Sequence, residues 1–211
     1  MKVNEIYRSI QGESSYSGLP CVFVRLTYCN LRCSYCDTEY AFYEGKDYTI
    51  EEVLAEVEGF KTSLVEITGG EPLLQKEVYP LMDRLVQAGN TVLLETGGSL
   101  DIAEVNPKVI KIMDLKCPSS GEAHRNLYAN IDKLQPYDEI KFVVGSRDDY
   151  LWMKEVIRQY SLAGRCLLLL STVFGRIQLR EVVEWMLEDR LSMRFQVQLH
   201  KYIWEPEAKG V

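Results

Sequence analysis

The sequence predicts an α/β fold, a partial, splayed (β/α) barrel formed by a single domain over residues 1–211. Three observations lead there. Short strand-like runs alternate with amphipathic segments from end to end, the pattern of a parallel sheet covered by helices. No repeat, low-complexity tract or linker interrupts that alternation. The 211 residues, 46% of them hydrophobic, can bury one substantial core but fall short of the ~250 residues that a closed eight-unit barrel usually takes. Six or seven units leave such a barrel open on one side.

Strands are expected at Cys21–Tyr28, Leu64–Thr68, Thr91–Glu95, Val109–Leu115, Glu139–Val144, Cys166–Leu170 and Met193–Leu199, each a short apolar or alternating run. Helices fill most gaps. The first opens at Thr49 with Glu52 three residues on, the capping-box spacing, and sets Val53, Leu54 and Val57 on one face. A second runs from about Pro80, acceptable in a first turn where its missing N–H needs no partner, to Gly89 as terminator. Two more are expected at Ser146–Tyr160 and at Gln178–Glu188, the latter with Leu179, Val182, Val183, Trp185 and Met186 as its buried stripe.

Side chains alternate between the faces of a strand, so the polar positions locate the chemistry. Cys21, Phe23, Arg25 and Thr27 share a face that leads to Cys29, while Val22, Val24 and Leu26 point the other way. The second strand presents Glu66 with Thr68, the third ends at Glu95, the fourth at Asp114 and Lys116, and the last sets Gln196, Gln198 and His200 on one face. Each strand thus delivers a polar group to its carboxyl end, the edge where α/β folds build their sites.

A formal charge of -7 argues against a surface made to neutralise phosphate backbones, so nucleic acid is not an expected partner. Lys2, Glu5 and Arg8 break up the stretch Met1–Ile10, which lacks the apolar segment of a secretory signal. The longest wholly apolar run, Cys166–Leu170, is far too short to span a bilayer. No membrane association is expected, and a cytoplasmic, reducing setting follows. A chain with an adequate core there does not need its six cysteines as disulfides. Cys21, Cys117 and Cys166 read as small buried hydrophobes, whereas the other three sit within eight residues.

That cluster, Cys29-Asn30-Leu31-Arg32-Cys33-Ser34-Tyr35-Cys36, is a CxxxCxxC loop directly after a strand. Three thiolates on so short a loop can take three corners of an iron–sulfur cluster and leave the fourth iron open to another ligand. A structural zinc site is the plainer alternative, but zinc wants a fourth Cys or His in a two-by-two spacing, and only His124 and His200 exist, both far along the chain. A second signal, Ile67-Thr68-Gly69-Gly70-Glu71-Pro72, follows the second strand. Two glycines there free the backbone to approach a ligand, although taken alone they also read as an ordinary strand-to-helix turn.

CxxxCxxC after the first strand and Gly-Gly-Glu-Pro after the second resemble the radical S-adenosylmethionine superfamily. Within it, Glu5-Ile6-Tyr7-Arg8-Ser9-Ile10-Gln11-Gly12-Glu13, Phe23-Val24-Arg25, Cys36-Asp37-Thr38, Asp114-Leu115-Lys116 and His200-Lys201 are similar to the 7-carboxy-7-deazaguanine synthase family, over nearly the whole chain. The resemblance implies a [4Fe-4S] cluster on Cys29, Cys33 and Cys36 that cleaves S-adenosylmethionine to a 5′-deoxyadenosyl radical. It further implies a magnesium-dependent homodimer that contracts 6-carboxy-5,6,7,8-tetrahydropterin to 7-carboxy-7-deazaguanine with loss of ammonia, on the route to queuosine, and that draws electrons from a flavodoxin or ferredoxin.

By the same resemblance Ile10, Gln11 and Gly12 line the pterin site with Glu13 nearby, Arg25 pairs with the substrate carboxylate, Thr68 contacts substrate, Gly70 contacts the cofactor and Thr38 ligates magnesium. Glu95, Asp114, Leu115 and Lys116 bind S-adenosylmethionine or the pterin edge, and Ser171, Thr172, Val173 and Phe174 approach the cofactor from the sixth strand. A guanidinium fork suits a carboxylate, and a hydroxyl such as Thr38 suits the hard oxygen shell of magnesium. Glu95 could equally sit in an ion pair with Lys141. His200 is open between substrate binding or proton relay and a structural place.

Some features depart from the family's pattern. Glu95-Thr96-Gly97-Gly98 carries glycine where Asn commonly follows Thr, Asp114 and Ser171-Thr172-Val173-Phe174 replace other polar sets at the cofactor wall, and the cysteine loop carries no insert. Residues 201–211 run beyond the short ending of some members, and none of them is assigned to the site. Two rival readings stand beside this one: a glycyl-radical-enzyme activase of the same superfamily, and a zinc or iron–sulfur module without catalysis.

Overall fold

The computed structural model describes residues 1–211. Nine strands form one sheet in the order β3-β1-β2-β4-β5-β6-β7-β8-β9. β1 (Lys2–Ile10) pairs antiparallel with β2 (Pro20–Leu26) and with the short β3 (Lys46–Asp47). From β2 onward every pairing is parallel, through β4 (Leu64–Gly69), β5 (Thr91–Thr96), β6 (Ile110–Asp114), β7 (Glu139–Val144), β8 (Leu167–Thr172) and β9 (Arg194–Phe195). β3 and β9 are the two edges and do not pair, so the sheet is an open α/β barrel.

The seven parallel strands stand within a residue or two of their expected places except the last. Pairing of β9 stops at Phe195, because the chain turns away to the loop after β1, where Leu199 N–H donates to the Gly12 carbonyl at 2.9 Å. His200 therefore opens a four-residue helix, α5 (His200–Ile203), instead of closing a strand. β1 is not visible in the alternation because a bulge between Val3 and Glu5 shifts its register. The shift lets Val3 and Ile6, three apart, share the outer core.

Helices follow the sequence signals. Thr49 and Glu52 form the expected capping box at the start of α1 (Ile50–Gly59), with Thr49 N–H donating to Glu52 Oε2 at 2.7 Å. The second helix, α2 (Val78–Gln87), begins two residues before Pro80, and Gly89 ends its exit turn at a φ of 88°. Ser146 caps α3 (Arg147–Gln159) by accepting from Asp149 N–H at 3.1 Å, and α4 (Leu179–Glu188) buries Val182. No helix is long and apolar enough to cross a membrane.

The sheet has two outer cores. Val22, Val24, Leu26, Val65, Ile67, Val92 and Leu94 pack under α1 and α2, whereas Met113, Leu115, Ile140, Phe142, Val144, Leu168 and Leu170 pack under α3 and α4. The inner face is apolar only at its base, where Cys21, Phe23, Leu64, Leu93, Ile112 and Leu169 form a plug. One step of two residues along each strand converts plug to polar wall: Phe23 to Arg25, Leu64 to Glu66, Leu93 to Glu95, Ile112 to Asp114. The period of the strand thus carries the chemistry to the carboxyl edge.

Candidate active site

A cavity of about 630 Å³ opens above that plug and is lined by Cys29, Cys33 and Cys36 together with Arg25, Glu66, Thr68, Glu95, Asp114 and Lys116 from the strand ends. The cysteine loop leaves β2 under tight packing. A Cβ on Gly70 would stand 2.3 Å from the Tyr28 carbonyl oxygen and 2.7 Å from Cys29 Cβ, and one on Gly69, whose φ is 151°, would stand 2.2 Å from the Leu26 carbonyl oxygen. The glycine pair is thus required by the chain that carries the cysteines, besides lining the cavity. Glu71, fully buried, accepts from Leu73 N–H at 3.1 Å, Thr96 Oγ1 at 2.9 Å and Gly97 N–H at 2.8 Å, and so fastens this turn to the end of β5.

All six cysteines are free thiols. Burial pushes the Cys33 thiol up to about 11, against the pull of Lys116, and raises Cys29 as well. Neither ionises readily by itself, and metal ligation would supply what ionisation costs. No three His, Cys, Asp or Glu side chains are spaced to hold one metal ion. That spacing does not suit a single zinc, whereas thiolates that each bind a separate iron of a cluster must stand further apart. Asp114 lies opposite. Its Oδ2 takes Lys116 Nζ at 2.7 Å, and its Oδ1 is buried with no partner, an acceptor free for an amino or hydroxyl donor. Free thiols, the close glycine turn and this acceptor fit a cluster with S-adenosylmethionine beside it.

The other end of the cavity is a polar network. Lys141 Nζ bridges Glu95 and Glu13 Oε2, the latter at 3.1 Å. Glu13 Oε1 accepts from Gln198 Nε2 at 3.1 Å, which also reaches Asp37 Oδ2 at 3.0 Å, as does Lys201 Nζ at 3.0 Å. Asp37 stays exposed at the cavity mouth, and against the desolvation of that setting the Lys201 ammonium and the Gln198 amide hold its carboxyl at about 2. Gln11 Nε2 donates to Glu66, whose carboxyl burial raises well above its ordinary value, with Glu95 adding and Lys141 opposing. Gly12 is required by His200, for a Cβ there would meet the imidazole Nδ1 at 2.5 Å. Burial lowers the His200 pKa, with Glu13 opposing.

Arg25 faces the cavity, with Nε on Glu5 Oε1 at 2.8 Å and Nη2 on Tyr7 Oη at 3.0 Å. Burial disfavours its charge, yet Tyr7, Tyr40 and Glu5 more than offset this and raise its pKa. Thr38 lines the cavity with its Oγ1 3.7 Å from Cys36 Sγ, and Ile10, Val173 and Phe174 line it too. Glu95 has the ion pair with Lys141 and the place in the cavity at once.

Other expected residues lie elsewhere. Leu115 points into the outer core under α3, and Thr172, in step with Leu168 and Leu170, falls on that same outer face; Ser171 follows Leu169 on the inner face but is buried and does not line the cavity. Thr27 lies past the end of β2 and donates to the Glu44 carbonyl at 2.7 Å. Gln196 is buried with neither amide atom bonded, outside the cavity. Cys21 and Cys117 are buried as expected, and Cys166 only partly so. The cavity also draws on residues to which the sequence reading gave no role: Tyr7, Asp37, Tyr40, Glu66, Lys201 and the segment 206–211. Glu66 carried a signal, two residues from Thr68 on the same face, and Tyr7, Asp37 and Lys201 stand inside the motifs of the resemblance, whereas nothing in the sequence pointed to Tyr40 or to 206–211.

The family model described as the radical SAM superfamily matches residues 24–186. The 7-carboxy-7-deazaguanine synthase of Koribacter versatilis is 47% identical over 226 residues, covering 100% of each chain. That of Chlorobaculum tepidum is 46% identical, covering 100% of this chain and 97% of its own. Among solved structures, QueE from Escherichia coli superposes with a TM-score of 0.79 at 23% identity, over 94% of both chains. The chain belongs to the radical SAM superfamily and, within it, to the 7-carboxy-7-deazaguanine synthase family.

Proposed function

We propose that this chain converts 6-carboxy-5,6,7,8-tetrahydropterin into 7-carboxy-7-deazaguanine with loss of ammonia, in the biosynthesis of queuosine and related 7-deazapurines. The observation that carries this reading is a single cavity with three free thiols at one end and a charged, hydrogen-bonding network at the other. When bound, a [4Fe-4S] cluster supplies the electron that cleaves S-adenosylmethionine and releases a 5′-deoxyadenosyl radical.

The chain's own groups hold, orient and enclose. Cys29, Cys33 and Cys36 ligate the cluster. Asp114, with its unpartnered oxygen, and Lys116 face the cofactor beside Gly70, Val173 and Phe174. Gln11, Glu13, Thr68, Glu95 and His200 offer the donors and acceptors that a pterin edge matches, with the Ile10–Gly12 turn beneath His200. Arg25 Nη1, which has no bond to protein, takes the substrate carboxylate. Thr38 offers a hydroxyl to magnesium, whose remaining ligands come from substrate and water.

The one sheet running through the chain supports treating 1–211 as a single unit. A homodimer and a flavodoxin- or ferredoxin-type electron donor complete the proposal, and the six unpaired thiols favour the cytoplasm. The test is anaerobic incubation of the iron-reconstituted protein with S-adenosylmethionine, dithionite, magnesium and the carboxylated tetrahydropterin, read by mass spectrometry. 7-Carboxy-7-deazaguanine is the expected product. 5′-Deoxyadenosine without it would sink the pterin assignment.

A further inference from the structure

Five lysine and arginine side chains line the cavity: Arg25, Lys116, Lys141, Lys201 and Lys209. Four are already matched, Arg25 by Glu5, Lys116 by Asp114, Lys141 by Glu13 and Glu95, and Lys201 by Asp37. Lys209 alone has no carboxylate within 4.0 Å. Its ammonium instead lies 4.2 Å from the centre of the Tyr40 ring. Arg25 lies 6.0 Å from the centre of the same ring, and Tyr40 Oη donates to Glu5 Oε1 at 3.0 Å, the oxygen that also takes Arg25 Nε. Because Glu5 neutralises Arg25, that guanidinium by itself presents little net charge to an anion, and the uncommitted positive charge at this corner is on Lys209.

We propose that Lys209, carried over the cavity by the segment 206–211, is a second cation for the substrate carboxylate held at Arg25, and so selects carboxylated over uncarboxylated pterins. The segment is free to serve this way. Ala208 N–H donates to the Glu205 carbonyl at 2.9 Å, and no hydrogen bond ties residues 206–211 to the barrel. The contact of Lys209 with Tyr40 is of a kind worth less at an exposed site than a charge-assisted hydrogen bond, so an arriving carboxylate can draw the ammonium off the ring. The four-carbon stem supplies the reach. The identity of the ligand rests on the function proposed above, while the preference for an anion rests on the unmatched charge.

The test is equilibrium binding of two fluorescent probes, 6-carboxypterin and pterin, to the iron-reconstituted protein with S-adenosylmethionine present. Lys209→Gln is expected to weaken 6-carboxypterin about tenfold and leave pterin within about twofold, while Lys209→Arg keeps both near wild type. If Lys209→Gln leaves both affinities unchanged, or lowers both equally, the inference is overturned. Product formation by the wild type is scored separately. A productive enzyme whose Lys209→Gln form shows no carboxylate-selective loss refutes this inference alone, whereas a selective loss in a protein that forms no 7-carboxy-7-deazaguanine upholds it and refutes the substrate assignment.

Discussion

Lys116 Nζ and Asp114 Oδ2 form an ion pair at 2.7 Å, and the second oxygen of that carboxylate is buried with nothing to accept from. A buried acceptor left open is costly unless a ligand completes it. Asp114→Asn is expected to lower the affinity for S-adenosylmethionine about tenfold, the scale of one charge-assisted bond, with iron content unchanged. Equilibrium binding of S-adenosylmethionine checks it, and unaltered affinity would remove Asp114 from the cofactor wall.

Lys141 is buried between two carboxylates, Glu13 and Glu95. Lys141→Met takes from both carboxylates the cation they share and leaves them only neutral donors, Gln198 on Glu13 and Thr68 on Glu95, and breaking a buried pair from one side typically costs about 3–5 kcal/mol. A fall in melting temperature of several degrees is expected by thermal unfolding of the anaerobic protein. A change under about one degree would show the network to be solvated.

Glu66 makes stability depend on pH. Burial, with Glu95 adding and Lys141 opposing, holds its folded-state pKa above the ordinary 4.5. Below that value folded and unfolded chains are both protonated and the group is neutral to stability. Above it the unfolded chain ionises first, so stability is lost at about 1.4 kcal/mol per pH unit until the folded pKa is reached. Glu66→Gln, whose amide oxygen can still accept from Gln11, is expected to raise the melting temperature at pH 7 and leave it unchanged at pH 4. An equal gain at both would contradict the burial argument.

The fold was legible where one physical signal acted alone. Parallel strands buried on both faces read as apolar runs, Thr49 and Glu52 announced a helix start, and the step from Phe23 to Arg25 marked the carboxyl edge. It was not legible where tertiary pairing overrode local pattern. The bulge after Val3 broke the alternation of β1, and the Leu199 bond to Gly12 drew His200 off the last strand onto a helix. In the site, the short-range motifs placed the cysteines and the glycine turn. Asp37 is joined to Gln198 and Lys201, 161 and 164 positions along the chain, pairings that no local spacing encodes.

Cys29, Cys33 and Cys36 line the cavity and Cys166 lies in the outer core. Replacing any of the first three by Ala is expected to abolish reductive cleavage of S-adenosylmethionine and to lower bound iron after reconstitution, whereas Cys166→Ala changes neither. Cleavage retained by any of the three would displace that cysteine as a ligand.

The most direct measurement uses 6-carboxy-5,6,7,8-tetrahydropterin deuterated at C6, incubated with the reduced, iron-reconstituted protein, S-adenosylmethionine and magnesium. Deuterium recovered in S-adenosylmethionine, alongside 7-carboxy-7-deazaguanine, is the predicted result, because a radical formed at the cysteine end would take and return hydrogen at a pterin in the same cavity. Product formed with no deuterium in S-adenosylmethionine would contradict the account.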